Sequence, residues 1–421
     1  MILAVDLGST GFKAALFTRR LREVRFGSRP VTYRYGAEGR VELPVAGVES
    51  ALRGTLADAL GADGGGVEAV AITSQAQTFT LLDAAGKARM PFISWRDGRP
   101  AAREAAIRLA RDLPDFGAHA GFGDILAALQ LAQLAALRPA RTQRPVLLPA
   151  YVLRLLTGAI HVDTNQAAMT GLYSLCEDDW WTPALEACGL RAAQMPGLIA
   201  PGAVAGTTGR GARRFGLPAG IPVVLAGNDQ TAGAFGAGID RQSGGVLVTL
   251  GTAIAVYAWS DALPPARTGC IRGPYPGGGF YRMTADSCGG GLVKWAQTLL
   301  AGCGDDAAYF AAAARAPADA QGLRFEPVAE TGGGDWRGGG PAHGPGDFAR
   351  AVLACLSRRT ADRVADLALP SAPSVLLMAG GGSRRKLWRD MIAAATGVPT
   401  AVTRATPLRG AARLAVDALA R

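Results

Sequence analysis

One acidic residue, Asp229, stands between an apolar run, residues 221–226, and the small-residue segment AGNDQTAGAFGAG, residues 226–238. A carboxylate where a strand ends and a helix begins can take a proton from a bound group. It can equally serve as an N-cap. The next segment, GGVLVTLGTAIAVYA at 244–258, weights the reading toward chemistry: it is an apolar hairpin turning at Gly251 and Thr252. The opening residues ILAVDLGSTGFKAALFT repeat the pattern, with Gly8, Ser9, Thr10 and Gly11 in the turn and Lys13 beyond it. Glycines let backbone N–H groups approach a phosphate, and Ser and Thr hydroxyls add donors. Asp6 interrupts an apolar run, which is costly unless the carboxylate is used; it would face a metal accompanying the phosphates. One such turn alone fits an ordinary tight hairpin as well. Two of them, with a lone carboxylate before the second, point to a protein that holds a nucleotide and deprotonates an alcohol.

Further polar groups fall at other strand ends. Residues 67–83 read as a strand, the polar cluster Ser74-Gln75-Ala76-Gln77-Thr78, and a second strand. The end of a parallel strand is where α/β sheets place ligand groups. In PFISWRDGRP, residues 91–100, Trp95, Asp97 and Arg99 alternate, which puts them on one face of an extended chain. An aromatic floor with a carboxylate and a guanidinium suits a polyhydroxylated ligand; a loop ion pair beside a buried Trp is the plainer alternative. Gly380-Gly381-Gly382-Ser383 joins a strand to a helix and offers another nucleotide contact, weak by itself. His119, His161 and His343 are isolated, and no spacing suggests a bound metal held by histidine.

These residues need a scaffold. At 421 residues the chain exceeds one core, so two domains are expected. Hydrophobic residues make up 49% and charged residues 19%, which excludes a disordered protein. The net charge of +10 comes almost wholly from scattered Arg, without basic runs or an interleaved aromatic stripe, so a nucleic-acid partner is not expected. Six cysteines form no C-x-x-C pair and read as buried thiols in a reducing compartment. The chain starts directly with a strand and has no apolar stretch long enough to span a bilayer, so a cytoplasmic protein without membrane contact is expected. Helices are expected over 101–112, 124–138 (with Asp124 as N-cap and an apolar stripe from Ile125 to Leu137), 147–157 and 347–367. Residues 163–173 read as a turn, and the glycine-rich 325–346 as a mobile loop.

Together the motifs resemble one family, the FGGY carbohydrate kinases, which phosphorylate ketoses and polyols with ATP. DLGSTGFK resembles its first phosphate hairpin. SQAQTFTLLD with SWRDGR is similar to its sugar block, as in xylulokinases and glycerol kinases. GNDQTAGAFGAG followed by VTLGT resembles its catalytic-aspartate block and second phosphate hairpin, and GGGSRRKLWRDMIAAATGVP its adenosine block. The order of all four is specific, although no single one is. The resemblance implies an α/β fold of two actin-like ATPase (ribonuclease H-like) domains, residues 1–238 and 239–421, with ATP in a cleft between them. It implies Asp229 as general base, Asp6 and Asp229 as holders of Mg²⁺, and Gly8, Ser9, Thr10, Lys13, Gly251 and Thr252 around the phosphates. Gly381, Gly382 and Ser383 would face the adenosine. Gln75, Gln77, Trp95, Asp97, Arg99, Asp229 and Gln230 would contact a small sugar or polyol. A homodimer is compatible with the resemblance.

The chain also departs from the family. Ala76-Gln77 replaces the Met-His of xylulokinases, and ETGGGDWRGG at 330–339 replaces the usual Gly-Glu-Arg-Thr-Pro loop. The chain is shorter than typical members, with the loss around residues 100–147. The alternative is a non-catalytic actin-like protein that binds ATP or sugar and acts through partners; retention of Asp6, Lys13 and Asp229 argues against it.

Overall fold

The computed structural model describes residues 1–61, 64–122, 125–328 and 332–420. They form two compact units. One comprises Met1–Gly236, Ser260–Tyr281 and Ala405–Arg421; the other comprises Ala237–Trp259 and Arg282–Arg404. The sequence suggests a single cut after residue 238, yet two later segments join the first unit. Their reasons are local. Helix Pro407–Leu419 lies against helix Asp229–Gly236 and strands Ile2–Leu7 and Ala69–Ser74. The Arg272 guanidinium donates to the carbonyls of Gly117 and Ala118, and Ile271 bridges Phe122. Neither contact can be read from local sequence.

The first unit is built on a mixed sheet ordered Val204–Thr207, Pro222–Asn228, Ala69–Ser74, Ile2–Leu7, Gly11–Phe17, Glu23–Pro30. Its three middle strands, Pro222–Asn228, Ala69–Ser74 and Ile2–Leu7, are mutually parallel and almost wholly buried. Burial on both faces is why each reads as a continuous apolar run instead of an alternating one. The core includes Leu3, Val5, Val70, Ile72, Val223 and Leu225, capped on one side by helix Val45–Leu60. Because the strands are parallel, their C-terminal ends line up: Asp6, Ser74 and Asn228 fall at one edge of the sheet.

The second unit repeats the theme. Strand Val246–Leu250 pairs antiparallel with Ile254–Ser260 and parallel with Leu376–Ala379, which in turn pairs with Thr400–Val402. Helices Gly290–Leu299, Asp306–Arg315, Pro345–Asp366 and Lys386–Thr396 cover it, around a core of Val248, Val256, Leu292, Leu356 and Trp388.

Several local expectations need correction. The glycine-rich stretch after residue 324 is not a loop: Arg324–Val328 and Gly333–Arg337 form an antiparallel hairpin, pinned where Trp336 and Phe325 pack with Trp295. Glycine is needed at position 334, because a Cβ there would meet Phe325 at 2.4 Å. Glu330 lies outside the described residues. Residues 163–173 contain a helical turn, Thr164–Ala167, capped by the Asp163 side chain accepting from the Gln166 N–H. The expected helix over 124–138 spans Ile125–Leu137, while Asp124 and the side chains of 125–129 and 131 lie outside the described residues. Five cysteines are buried thiols, but Cys176 is exposed. No helix is long and apolar enough to cross a membrane among the described residues.

Candidate active site

Asp229 opens helix Asp229–Gly236 directly after strand Pro222–Asn228. It is not the cap. Asn228 does that work, its Oδ1 accepting from the Thr231 N–H at 2.9 Å. Asp229 instead takes hydrogen bonds from Gln230, whose N–H donates to its Oδ1, and stays partly exposed. The junction itself is tied down by Asn165. Its Oδ1 accepts from both the backbone N–H and Nδ2 of Asn228, and its Nδ2 donates to Thr231 Oγ1 and the Pro274 carbonyl. Gly227 precedes the pair with φ +73°, and a Cβ there would stand 3.0 Å from Asn165 Oδ1, so only glycine suits the position. On the far side, a Cβ at Gly410 would come within 1.7 Å of the Ala232 carbonyl oxygen. Two helices therefore touch backbone to backbone beneath the carboxylate.

Asp6 lies one residue before the end of strand Ile2–Leu7, on the far side of Ala69–Ser74, and is 5% exposed. Lys13 stands opposite it across the hairpin, in register. Burial, then the negative charge of Asp229, push the Asp6 carboxyl up to about 7, against the pull of Lys13. Burial pushes Asp229 to about 6, opposed by the Gln230 N–H and by Lys13. Two carboxylates, the charge of Asp229 disfavouring that of Asp6 and the Lys13 ammonium acting on both, form an incomplete electrostatic arrangement. Asp6 Oδ1 is buried and has no hydrogen-bond partner. That orphaned oxygen fits a hard divalent cation held by one or two carboxylates, with water and phosphate oxygens completing its shell, as Mg²⁺ is usually held. Among the described residues no group of three or more His, Cys, Asp or Glu could cage a metal alone. Ser9 and Lys13 remain at the surface of the hairpin, and Thr10 is exposed.

At the end of strand Ala69–Ser74, Gln75 is buried, its N–H bonded to the Leu7 carbonyl and its Oε1 facing the Tyr33 hydroxyl at 3.5 Å. Its Nε2 has no partner. Gln77 takes a left-handed backbone, φ +61°, and donates through Nε2 to the Met169 carbonyl at 2.7 Å. A non-glycine residue held there stores strain, which concentrates at ligand sites. These groups and Asp6, Asn228 and Asp229 belong to the same edge of one sheet.

The alternation reading of Trp95, Asp97 and Arg99 fails, because residues 94–97 turn instead of extending: the Asp97 N–H bonds to the Ser94 carbonyl. Trp95 is 49% exposed, while the Asp97 side chain is fully enclosed. Asp97 Oδ2 accepts from the Val41 N–H and Arg99 Nη2; its Oδ1 accepts from Arg99 Nε and Gln133 Nε2. A carboxylate has about four acceptor positions, and all are spent on fastening this loop.

In the second unit the hairpin turn at Gly251 and Thr252 meets the glycines 289–291. Gly290 N–H bonds to the Gly251 carbonyl, Gly291 N–H bonds to that of Thr252, and a Cβ at Gly290 would meet Gly251 O at 2.6 Å. Gly380, with φ +83°, passes equally close to Leu250 O, at 2.5 Å. These approaches frame a cavity of about 440 Å³ with Gly251, Thr252, Gly381 and Gly382 at one end and Val293, Phe310 and Trp388 as apolar walls. Ser383 Oγ turns back to the Gly380 carbonyl. Asp306, at the rim, is held well below the usual carboxylate range by Gln297, Lys294 and Arg385. Arg385 also lies over the Phe310 ring. Sequence reading found the glycines of 381–382 but missed those of 290–291, Phe310 and Asp306; the triplet at 289–291, a second copy of 380–382, was the available signal.

Residues 1–236 match the FGGY family of carbohydrate kinases, N-terminal domain, and residues 246–419 match the C-terminal domain of the same family. The chain belongs to the FGGY family of carbohydrate kinases. Xylulose kinase of Escherichia coli (strain K12) is 30% identical over 353 residues, covering 79% of this chain and 71% of the relative. L-fuculokinase of Salmonella typhi is 27% identical, over 80% and 74% of the two chains. The crystal structure of xylulose kinase from Rhodospirillum rubrum superposes with a TM-score of 0.87 at 25% identity, over 98% of this chain and 88% of that one. This FGGY kinase therefore has the two-domain actin-like ATPase fold, is an ATP-dependent carbohydrate kinase, and acts on a small sugar or polyol.

Proposed function

We propose that this kinase transfers the terminal phosphoryl group of ATP to a hydroxyl of a small ketose or polyol, with Asp229 as general base. The observation that carries the reading is a partly exposed carboxylate, freed from capping by Asn228, beside a second, buried carboxylate with an unpaired oxygen. An alcohol is a weak nucleophile until its proton has somewhere to go as the new bond forms. Asp229, raised to about 6 by burial, is ionised at neutral pH yet basic enough to accept that proton. Asp6, with Asp229, would hold Mg²⁺, which when bound neutralises phosphate charge. Lys13 would add positive charge to the same phosphates, and the backbone N–H groups around Gly8, Ser9 and Thr10 would approach them without side-chain obstruction. Gly251 and Thr252 would do the same in the second unit, with the adenosine between Gly381, Gly382 and the apolar walls.

Gln75, Gln77, Trp95, Arg99 and Gln230 are the proposed sugar contacts, with Asp97 positioning Arg99 through its two-point ion pair. The xylulose kinase relatives favour a ketose. A coupled ADP-release assay over ketoses and polyols tests the proposal. Turnover with at least one acceptor, well above the rate with water alone, is expected. Silence across the panel with ATP binding intact would overturn it and leave a binding protein that acts through partners.

A further inference from the structure

The helical turn Thr164–Ala167 carries a side chain with no role so far. Gln166 is fully buried. Its Nε2 donates to the Ser74 carbonyl at 3.1 Å, which fixes which way the amide faces. Its Oε1 has no hydrogen-bond partner. The backbone on either side is held rigidly: Asp163 accepts from the Gln166 N–H, and Asn165 clamps Asn228, the residue before Asp229. Ser74 is also the residue before Gln75, whose buried Nε2 likewise lacks a partner. An acceptor and a donor are thus both anchored at Ser74, at the strand end beside Asn228.

Buried amide atoms are nearly always paired, so two without a protein partner at one strand end ask for a water, an ion or a ligand. Oε1 can only accept and needs an O–H or N–H. Nε2 can only donate and needs an oxygen. A polyhydroxylated carbon chain offers both. We propose that Gln166 is a specificity-determining residue of the acceptor site, its Oε1 accepting from one substrate hydroxyl while Gln75 Nε2 donates to another oxygen of the same molecule. The proposal rests on the kinase reading above and names a contact within it.

The test uses the full chain, the best acceptor from the panel and its monodeoxy analogues, with kcat/KM measured for each. A site that hydrogen-bonds a hydroxyl rejects the analogue lacking it strongly. Wild type should discriminate against one analogue by roughly 10²-fold or more. Gln166→Met, which keeps volume and removes the acceptor, should cut that ratio at least tenfold, leaving the KM for ATP and discrimination at other positions unchanged. Gln166→Glu, which retains an acceptor oxygen, should keep the ratio nearer to wild type. An unchanged ratio at every position in Gln166→Met, or an equal loss in both variants, would overturn the proposal and leave Gln166 as a structural residue. If Gln166→Met does not fold, the Glu variant decides, since loss of discrimination there overturns the proposal equally. A wild type inert on every sugar would instead remove the kinase reading beneath it.

Discussion

The two ligand-facing regions of the molecule are built on opposite economies. At the sheet edge of the first unit, Asp6 Oδ1, Gln75 Nε2 and Gln166 Oε1 are buried and unpaired. In the cavity of the second unit, the polar rim is already satisfied: Asp306 is bonded to Lys294, Gln297 and Arg385, Ser383 to Gly380, and Arg389 to the Ser383 carbonyl. What remains there for a ligand is apolar wall, close backbone and the indole N–H of Trp388. The difference teaches where specificity lies. A pocket of satisfied groups and aromatic faces binds through burial and shape. An edge of unsatisfied groups, each costing about 1–3 kcal/mol while unpaired, rejects any ligand that does not supply the missing partners. On the proposed function, chemistry and acceptor choice would belong to the first and nucleotide grip to the second.

The largest effect should come from removing the base. Asp229→Asn keeps the shape and the Gln230 contact but cannot take a proton. kcat should fall by roughly 10²- to 10⁴-fold, with ATP affinity by calorimetry unchanged. Near-wild-type turnover would break the assignment of chemistry to this edge. Because both free carboxylates are the working forms, kcat/KM should rise with pH and level off only above about 7. The Asn variant should lose the part of that limb due to Asp229.

A smaller but still large effect should follow from a residue that touches no ligand. Gly410→Ala places a methyl where the Ala232 carbonyl oxygen already stands, so helix Asp229–Gly236 must move. Overpacking of this kind costs about 1–3 kcal/mol. The variant should lose stability in thermal denaturation and also kcat, while ATP binding in the second unit is preserved. Full retention of kcat alongside lost stability would show that Asp229 tolerates a shift of its helix.

Much of this organisation was legible in the sequence. The hairpins at Asp6–Lys13 and at Gly251, the strand before Asp229 and the helix of 148–157 closed by Gly158 follow from apolar runs and glycine punctuation, which are local signals. Asn165 and Gln166 were not legible, because a polar tetrad before an apolar segment looks like any turn until the neighbouring strand ends are known. The same applies to Asp97. Its residue type invited a ligand role, and only the arrival of Val41 and Gln133 from distant sequence shows its lone pairs spent. Residues 407–419 fall in the second half when the sequence is cut after 238, whereas the glycine at position 410 reports a contact with Ala232, 178 residues earlier.

In the second unit, Phe310→Ala removes one wall of the cavity and the surface beneath Arg385. The KM for ATP should rise by about tenfold, in keeping with the loss of one aromatic contact, while acceptor discrimination stays as in wild type. A change in acceptor preference instead would erase the division of labour between the units.

The smallest effect on stability should be a gain. Asp6 binds its proton more tightly folded, at about 7, than unfolded, at 3.8. Between about pH 4 and 7 the native state therefore holds more protons than the unfolded one, and stability falls as pH rises through that window. Above it the whole cost of a buried, uncompensated carboxylate is present. Asp6→Asn removes that cost, so the variant without ligands should be more stable than wild type at pH 8 by about 1–2 kcal/mol, or roughly 1–3 °C in Tm. The gap should close toward pH 4, where wild type is itself protonated. Activity should be lost at every pH, because the amide cannot help to hold a divalent cation. A variant less stable than wild type at pH 8 would mean that Lys13 already compensates the charge, and the unpaired oxygen would then be no sign of a missing ligand.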